Sequence, residues 1–158
     1  MAITVSPPNA GRLTVQKISD YTLHLAATKE YLASHPPISN KSDLKDHRLI
    51  GYINDLIFDD ELDYMNEVGE KIRAPLTSNS FSVQLNWARR GAGVCIVHDF
   101  AIPTFPDLQR ILTDRISLKR AFYLVRHHDD RKVERLNRVA KLLTTKIRAE
   151  IKHLEAAA

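Results

Sequence analysis

The sequence predicts a mixed α/β fold, and three observations carry that expectation. Short apolar segments of strand length alternate with amphipathic segments of helical period. Clusters of Pro, Gly, Ser, Asn and Asp punctuate them. The chain has 158 residues, 44% hydrophobic and 27% charged, the size and composition of one domain with a sizeable core. Collagen-like and disordered classes are thereby excluded. No apolar run approaches the roughly 18 residues of a membrane span, and no basic start precedes an apolar stretch with a cleavage site, so the chain reads as cytoplasmic.

In chain order, Ala2 to Val5 reads as a strand stopped by Ser6-Pro7-Pro8-Asn9, where the prolines fix φ and remove donors. Leu13 to Ile18 and Tyr21 to Ala27 read as two strands. The second alternates Tyr21, Leu23, Leu25 and Ala27 against Thr22, His24 and Ala26, with a tight reversal expected at Ser19-Asp20. Thr28 can N-cap a short helix ended by Pro36-Pro37, and Ser42 or Asp43 starts a further single turn. Arg48 to Ile53 is a strand, the acidic stretch after it a loop with a possible edge strand, and Lys71 to Thr77 another strand. Ser78-Asn79-Ser80 then caps a helix in which Phe81, Leu85 and Ala88 share a face, stopped at Gly91. Val94 to Val97 is a short buried strand, and Leu108 to Leu112 and Leu118 to Arg126 are two more. Asp129 or Asp130 caps the strongest periodic segment, with Val133, Leu136, Ala140, Leu143, Ile147 and Ile151 on one stripe. His153 to Ala158 reads as an appended tail. This alternation predicts a largely parallel sheet with its ligand site in the loops beyond the strand ends.

Charge is uneven. The 23 basic and 19 acidic residues give +4, yet residues 1–109 carry 10 bases against 13 acids and residues 110–158 carry 13 against 6. Asp55 to Glu70 holds seven acids and no base. The single cysteine, Cys95, lies in the apolar run GVCIV, where it is a small buried hydrophobe with no disulfide partner.

The succession AITV (2–5), LTVQKISDYTLHLAATKEYLASHPPISNKSDLKDHRLIGY (13–52), TSNS (77–80), RRGAGVCIVHDFAIP (89–103) and SLKRAFYLVRHHDDRKVERLNRVAKLL (117–143) resembles the effector-binding domain of LysR-type bacterial transcriptional regulators. The resemblance implies a periplasmic-binding-protein-like (type 2) fold, two α/β lobes joined by crossover strands around a small effector. It places residues 1–20 and 113–152 in a partial first lobe and 21–112, with the crossover strands, in a nearly complete second lobe. AITV is similar to the third strand of such a first lobe, so the strand and loop that open the family's domain are expected to be missing. Self-association or exchange of elements is expected to cover the surface this leaves, and effector binding by the chain alone is expected to be weak. In the family, DNA is bound through an N-terminal winged helix-turn-helix, which this chain does not contain.

The candidate effector-binding residues are Ser6, Tyr52, Phe58, Thr77, Ser78, Asn79, Ser80 and His98. Hydroxyls and amides of Thr77 to Ser80 at a helix N-terminus present donors and partial positive charge to a carboxylate, and plain capping is the competing reading. Tyr52 and Phe58 follow the strand LIGY in a segment that lines the family's cleft; they pack against an effector or into the core. His98 stands where family members usually have proline, and either hydrogen-bonds an effector or faces water. Ser6 ends the first strand in a comparable position.

Other constellations carry less. His127-His128-Asp129-Asp130 has zinc-ligand chemistry, but neighbouring strand residues point to opposite faces, and the aspartates suit a helix start. Asp59-Asp60-Glu61-x-Asp63 lacks the spacing and glycine of a calcium loop. Gly91-Ala92-Gly93 comes after a helix and before a strand, the reverse of a dinucleotide fingerprint. Basic residues on the last helix form a solvated face without a DNA-reading pattern. The resulting expectation is an effector-sensing regulatory domain that is not an enzyme and uses no cofactor or metal. Its partners are a small, anionic, carboxylate-bearing effector and further copies of itself, without a membrane. The alternatives are a small metal-dependent or His/Asp hydrolase built on His98-Asp99 or His127-His128, and a stand-alone solute-binding module.

Overall fold

The structure is a computed structural model that describes residues 1–8, 11–69 and 72–158. Among the described residues seven strands form a mixed sheet: β1 (Ala2–Thr4), β2 (Leu13–Thr28), β3 (Leu49–Gly51), β4 (Leu76–Thr77), β5 (Val94–His98), β6 (Leu108–Ile111) and β7 (Leu118–His127). Its order is β1-β7-β2-β5-β3-β4, with β6 also on β2. The helices are α1 (Lys29–Ser34), α2 (Tyr64–Val68), α3 (Phe81–Arg89) and α4 (Glu134–Ala156). Among the described residues no helix is long and apolar enough to cross a membrane.

The central feature is β2, one strand of 16 residues where the sequence suggested two. Along one edge β7 pairs Leu13 to Leu23, and β6 then takes over for Leu25 to Thr28. On the other edge β5 pairs Leu23 to Ala26. Ser19-Asp20 therefore does not reverse the chain. A bulge between Lys17 and Ser19 absorbs one extra residue, and the long ladder to β7 outweighs the turn preference of Ser and Asp. The free edge of β2 is closed by side chains of α4: Arg148 Nε donates to the carbonyl of Ile18 at 2.7 Å, and Glu155 Oε1 accepts from the amide of Thr22 at 2.6 Å. Glu155 lies in the segment read as a tail, through which the helix continues to Ala156.

A largely parallel sheet is also corrected. Only β3 pairs parallel to its neighbours β4 and β5, whereas β1 with β7 and β2 with β5, β6 and β7 are antiparallel. The reason is the length of β2, which crosses from one half of the molecule to the other and meets returning strands on both edges. Both faces of its second half are buried, with Tyr21, Leu23, Leu25, Ala26 and Ala27 at 1% exposure or less and His24 at 8%.

The remaining differences are local. Asp129 and Asp130 lie in a 3-10 turn (His128–Lys132), and α4 begins only at Glu134, with Val133 at the N-cap position and no side-chain capping bond. The predicted stripe on α4 holds: Ala140 and Ile151 are buried and Ile147 packs on the same core. Over its described residues the acidic stretch forms 3-10 turns at Asn54–Leu56 and Asp60–Leu62 and then α2, without an edge strand. Among the described residues of the strand predicted over Lys71 to Thr77, only Leu76–Thr77 forms one, and Lys71 and Asn9 lie outside the described residues. Gly91 ends α3 as expected, at a φ of +70° that only glycine adopts without strain.

Candidate functional site

The loop Thr77 to Ser80 is built by its neighbours. Thr77 pairs with Gly51 at the end of the parallel ladder, and the Ser78 amide continues it by donating to the Gly51 carbonyl at 3.0 Å. Ser78 Oγ accepts from the Ser80 amide at 3.1 Å, and its carbonyl accepts from Gln84 Nε2 at 2.7 Å. Gln84 is a buried polar residue on α3, so it anchors the loop from below. Ser80 is the N-cap of α3 by position, yet its side chain makes no capping bond. Plain capping by Ser80 is thus not what holds the helix entrance, and Asn79 is exposed beside it. Thr77 also edges a shallow depression of about 420 Å³ with Asn54, Asp55 and Arg73.

Tyr52 is half-buried and meets Tyr64 edge-on at 5.8 Å between ring centroids. Burial pushes its phenol above the ordinary range. With Gly51, Met65 and Gln84 it borders a cavity of about 10 Å³, the space of one water. Phe58 is the opposite case, 89% exposed. It shares a groove of about 360 Å³ with Ser6, whose hydroxyl donates to Asp59 Oδ2 at 2.5 Å. Ser6 and Phe58 are therefore brought together from residues far apart in sequence.

His98 does not face water. It closes β5 at 8% exposure, with its ring 5.1 Å from Tyr21, 4.8 Å from Phe100 and edge-on to Phe81 at 4.3 Å. Burial depresses its pKa to about 4, so the imidazole is neutral at pH 7. Among the described residues its Nδ1 and the neighbouring Tyr21 hydroxyl are both buried without a partner. Because Phe81 is the first residue of α3, His98 sits directly beneath the helix entrance. The eight candidates thus fall into three places: the groove of Ser6 and Phe58, the loop over Gly51 and Tyr52, and the aromatic cluster around His98.

The sequence reading missed a buried charge cluster. His24 Nδ1 lies 2.8 Å from Asp99 Oδ1, and Arg110 Nη1 lies 3.0 Å from Asp99 Oδ2. A histidine inside an otherwise apolar central strand was the available signal, since such a residue must find a partner. This cluster occupies the Asp99 carboxylate with His24 and Arg110, so the proposed pairing with His98 is not made. His127 reaches only Asp129, at 3.5 Å and largely exposed, and among the described residues no group of three His, Cys, Asp or Glu side chains could hold a metal ion.

The family model of the LysR substrate binding domain matches residues 1–148. Comparison with curated protein sequences gave no match. Among solved structures, the regulatory domain of CrgA, a LysR-type transcriptional regulator from Neisseria meningitidis, is similar at a TM-score of 0.78 and 20% identity, over 91% of this chain and 73% of that one. The regulatory domain of the C227S variant of AphB from Vibrio vulnificus gives 0.67 and 24%, over 90% and 74%. Against the CrgA chain that includes more than its regulatory domain the values are 0.72 and 19%, over 96% of this chain and 51% of that one. The chain therefore spans about three-quarters of the regulatory domains it resembles and half of the longer regulator.

Proposed function

The chain belongs to the family of LysR substrate binding domains, and from that premise we propose that it is the effector-sensing part of a cytoplasmic transcriptional regulator. Residues 1–20 and 113–152 contribute to one lobe and residues 21–112 to the other, with a small metabolite held where the lobes meet. The supporting observation is the course of β2, whose first half belongs to the β1-β7 side and whose second half belongs to β5 and β6. A ligand touching both sides changes the balance between their arrangements only through its unequal affinity for them. DNA would be engaged by a winged helix-turn-helix outside this chain, and subunit contacts would carry the change to it.

The effector's carboxylate would meet the amides and hydroxyls of Thr77 to Ser80 at the entrance of α3, a helix long enough to present a partial positive charge there. A thermal-shift screen of small carboxylic acids tests this, run on the full-length regulator, where binding is expected to be stronger than in this chain alone, and on its Ser78→Ala variant. A binder of the native state raises Tm in proportion to its occupancy. The expected result is a concentration-dependent rise with at least one acid that Ser78→Ala reduces. Equal rises in both proteins, or none with any acid, would overturn the carboxylate assignment. Light scattering tests the subunit contacts, which predict a species larger than one chain.

A further inference from the structure

The bulge in β2 leaves one residue with no opposite on β7. Lys17 faces Tyr123 and Ser19 faces Phe122, so Ile18 is the extra residue between them, and it is buried at 1% exposure. A buried carbonyl must find a donor. Arg148 of α4 supplies one: its Nε donates to the Ile18 carbonyl at 2.7 Å, and Nη2 of the same guanidinium lies 3.4 Å from the Lys17 carbonyl. Four residues on, Thr22 precedes the point where β5 takes up the edge at Leu23, and its amide donates to Glu155 Oε1 at 2.6 Å.

These two contacts stand on opposite sides of the boundary between residues 1–20 and residues 21–112. Arg148 and Glu155 are seven residues apart, on one face and about 10 Å along a helix, while Ile18 and Thr22 are about 13 Å apart along a strand, so the spans match. Between them Ile151 packs in the core that holds Tyr21 and Leu23, whereas Ala140, earlier in α4, packs with Ile18 and Leu124. The helix also lies against the turn Asp99–Thr104 that follows β5. It is therefore rooted in one half of the molecule and its last turns are held in the other. Glu155 lies beyond residues 1–148, the segment shared with the family.

We propose that Arg148 and Glu155 are positioning residues for the effector response, a two-point clamp that fixes the course of β2 across its bulge and so holds the two lobes in one arrangement. A bulge is where a strand bends and twists most readily, so without the clamp the segment from Ile18 to Thr22 is a pivot. A change of arrangement then runs through release of the Thr22 amide by Glu155. That is one charge-assisted hydrogen bond, a contact small enough for a ligand's unequal affinity for two arrangements to overcome. The inference rests on the two-lobe reading and deepens it.

The test uses the 158-residue chain with nitroxide labels at two exposed positions, Ala33→Cys in residues 21–112 and Lys132→Cys in residues 113–152, the distance between them being read by pulsed electron resonance. Cys95 is buried and stays unlabelled. With Glu155 intact the expected result is one narrow distance distribution. Glu155→Ala should broaden or displace it, and the Thr22 amide should exchange its hydrogen at least about tenfold faster, the loss of one charge-assisted bond. Glu155→Gln still presents an acceptor and should restore the narrow distribution, whereas Glu155→Met, similar in bulk without an acceptor, should not. Arg148→Ala should broaden the distribution as well; if it fails to fold by circular dichroism, the Glu155 series decides alone. A broad distribution with Glu155 intact, unchanged distances in Glu155→Ala, a Thr22 amide as protected there as in the wild type, or equal behaviour of the Gln and Met variants would each overturn the clamp. Amide exchange across a denaturant series separates such a result from a failure of the two-lobe reading. Two classes of opening, one for β1 and β7 and one for β3 and β5, keep the lobes as units, whereas a single class throughout makes the chain one body and overturns both.

Discussion

His24 and Asp99 form a pair buried to 8% and 5% exposure, joined at 2.8 Å between the middle of β2 and the turn that follows β5, with Arg110 of β6 completing the charge at 3.0 Å. The three groups tie together elements that meet at the centre of the sheet. Removing the shared carboxylate leaves two donors facing each other in a largely dry site, and breaking a buried pair typically costs about 3–5 kcal/mol. Asp99→Ala is expected to lose roughly that amount in urea denaturation. Arg110→Ala should lose less, because its side chain is 30% exposed and the site stays satisfied by His24. A double-mutant cycle between His24 and Asp99 should show a clear coupling, and strict additivity would mean that the pair is not formed in solution.

Much of the fold was legible because its signals are local. Phe81, Leu85 and Ala88 fixed one face of α3, Gly91 its end, and the stripe from Val133 to Ile151 the buried side of α4. What escaped depends on pairing at long range. Ser19 and Asp20 have the composition of a turn, and only the partner strand β7 makes them the middle of a strand. The site was legible to the same degree. Ser78 and its loop were readable as a helix entrance, but the meeting of Ser6 with Asp59 across 53 residues was not, nor was the use of Asp99 by Arg110. The burial of His98 was not legible, because a histidine at a strand end is ordinarily wet; here three aromatic rings enclose it.

That enclosure makes stability depend on pH. Burial lowers the His98 pKa from 6.5 to about 4, so between these values the unfolded chain binds a proton that the folded chain excludes. The contribution is fully present above pH 6.5, falls as the pH drops through that window, and is exhausted below about pH 4. The full shift corresponds to about 3 kcal/mol. His98→Leu fills the space without a titrating group and also removes the unpartnered Nδ1. Denaturation curves at several pH values should show the variant losing less stability than the wild type between pH 6.5 and 4; parallel curves would contradict the buried neutral imidazole.

Cys95 should be chemically silent. It is fully buried in β5 beside Ala26 of β2, and desolvation pushes its thiol up to about 12, so almost no thiolate exists at pH 8. A disulfide reagent such as DTNB is expected to label the native chain only as fast as it opens, and to react stoichiometrically at once in denaturant. Rapid native labelling would mean that the β2-β5 ladder is open to solvent.

The two glycines after α3 fulfil different requirements, which substitution separates. Gly91 sits at φ +70° with room around it, since an added Cβ would meet Thr28 Oγ1 at an ordinary 3.6 Å. Gly91→Ala therefore suffers only the left-handed backbone, roughly 1–2 kcal/mol. At Gly93 a Cβ would lie 2.2 Å from the Arg48 carbonyl oxygen, an atom held in place by the Val94 amide at 2.9 Å and by the parallel pairing of β3 with β5. Backbone cannot yield there without parting the ladder that carries Gly51 and the loop above it. Gly93→Ala is expected to cost about 3 kcal/mol or more, the upper range for overpacking. Urea melts of the two variants should rank Gly93→Ala well below Gly91→Ala, and the reverse order would mean that β3 and β5 do not approach as closely as the structure shows.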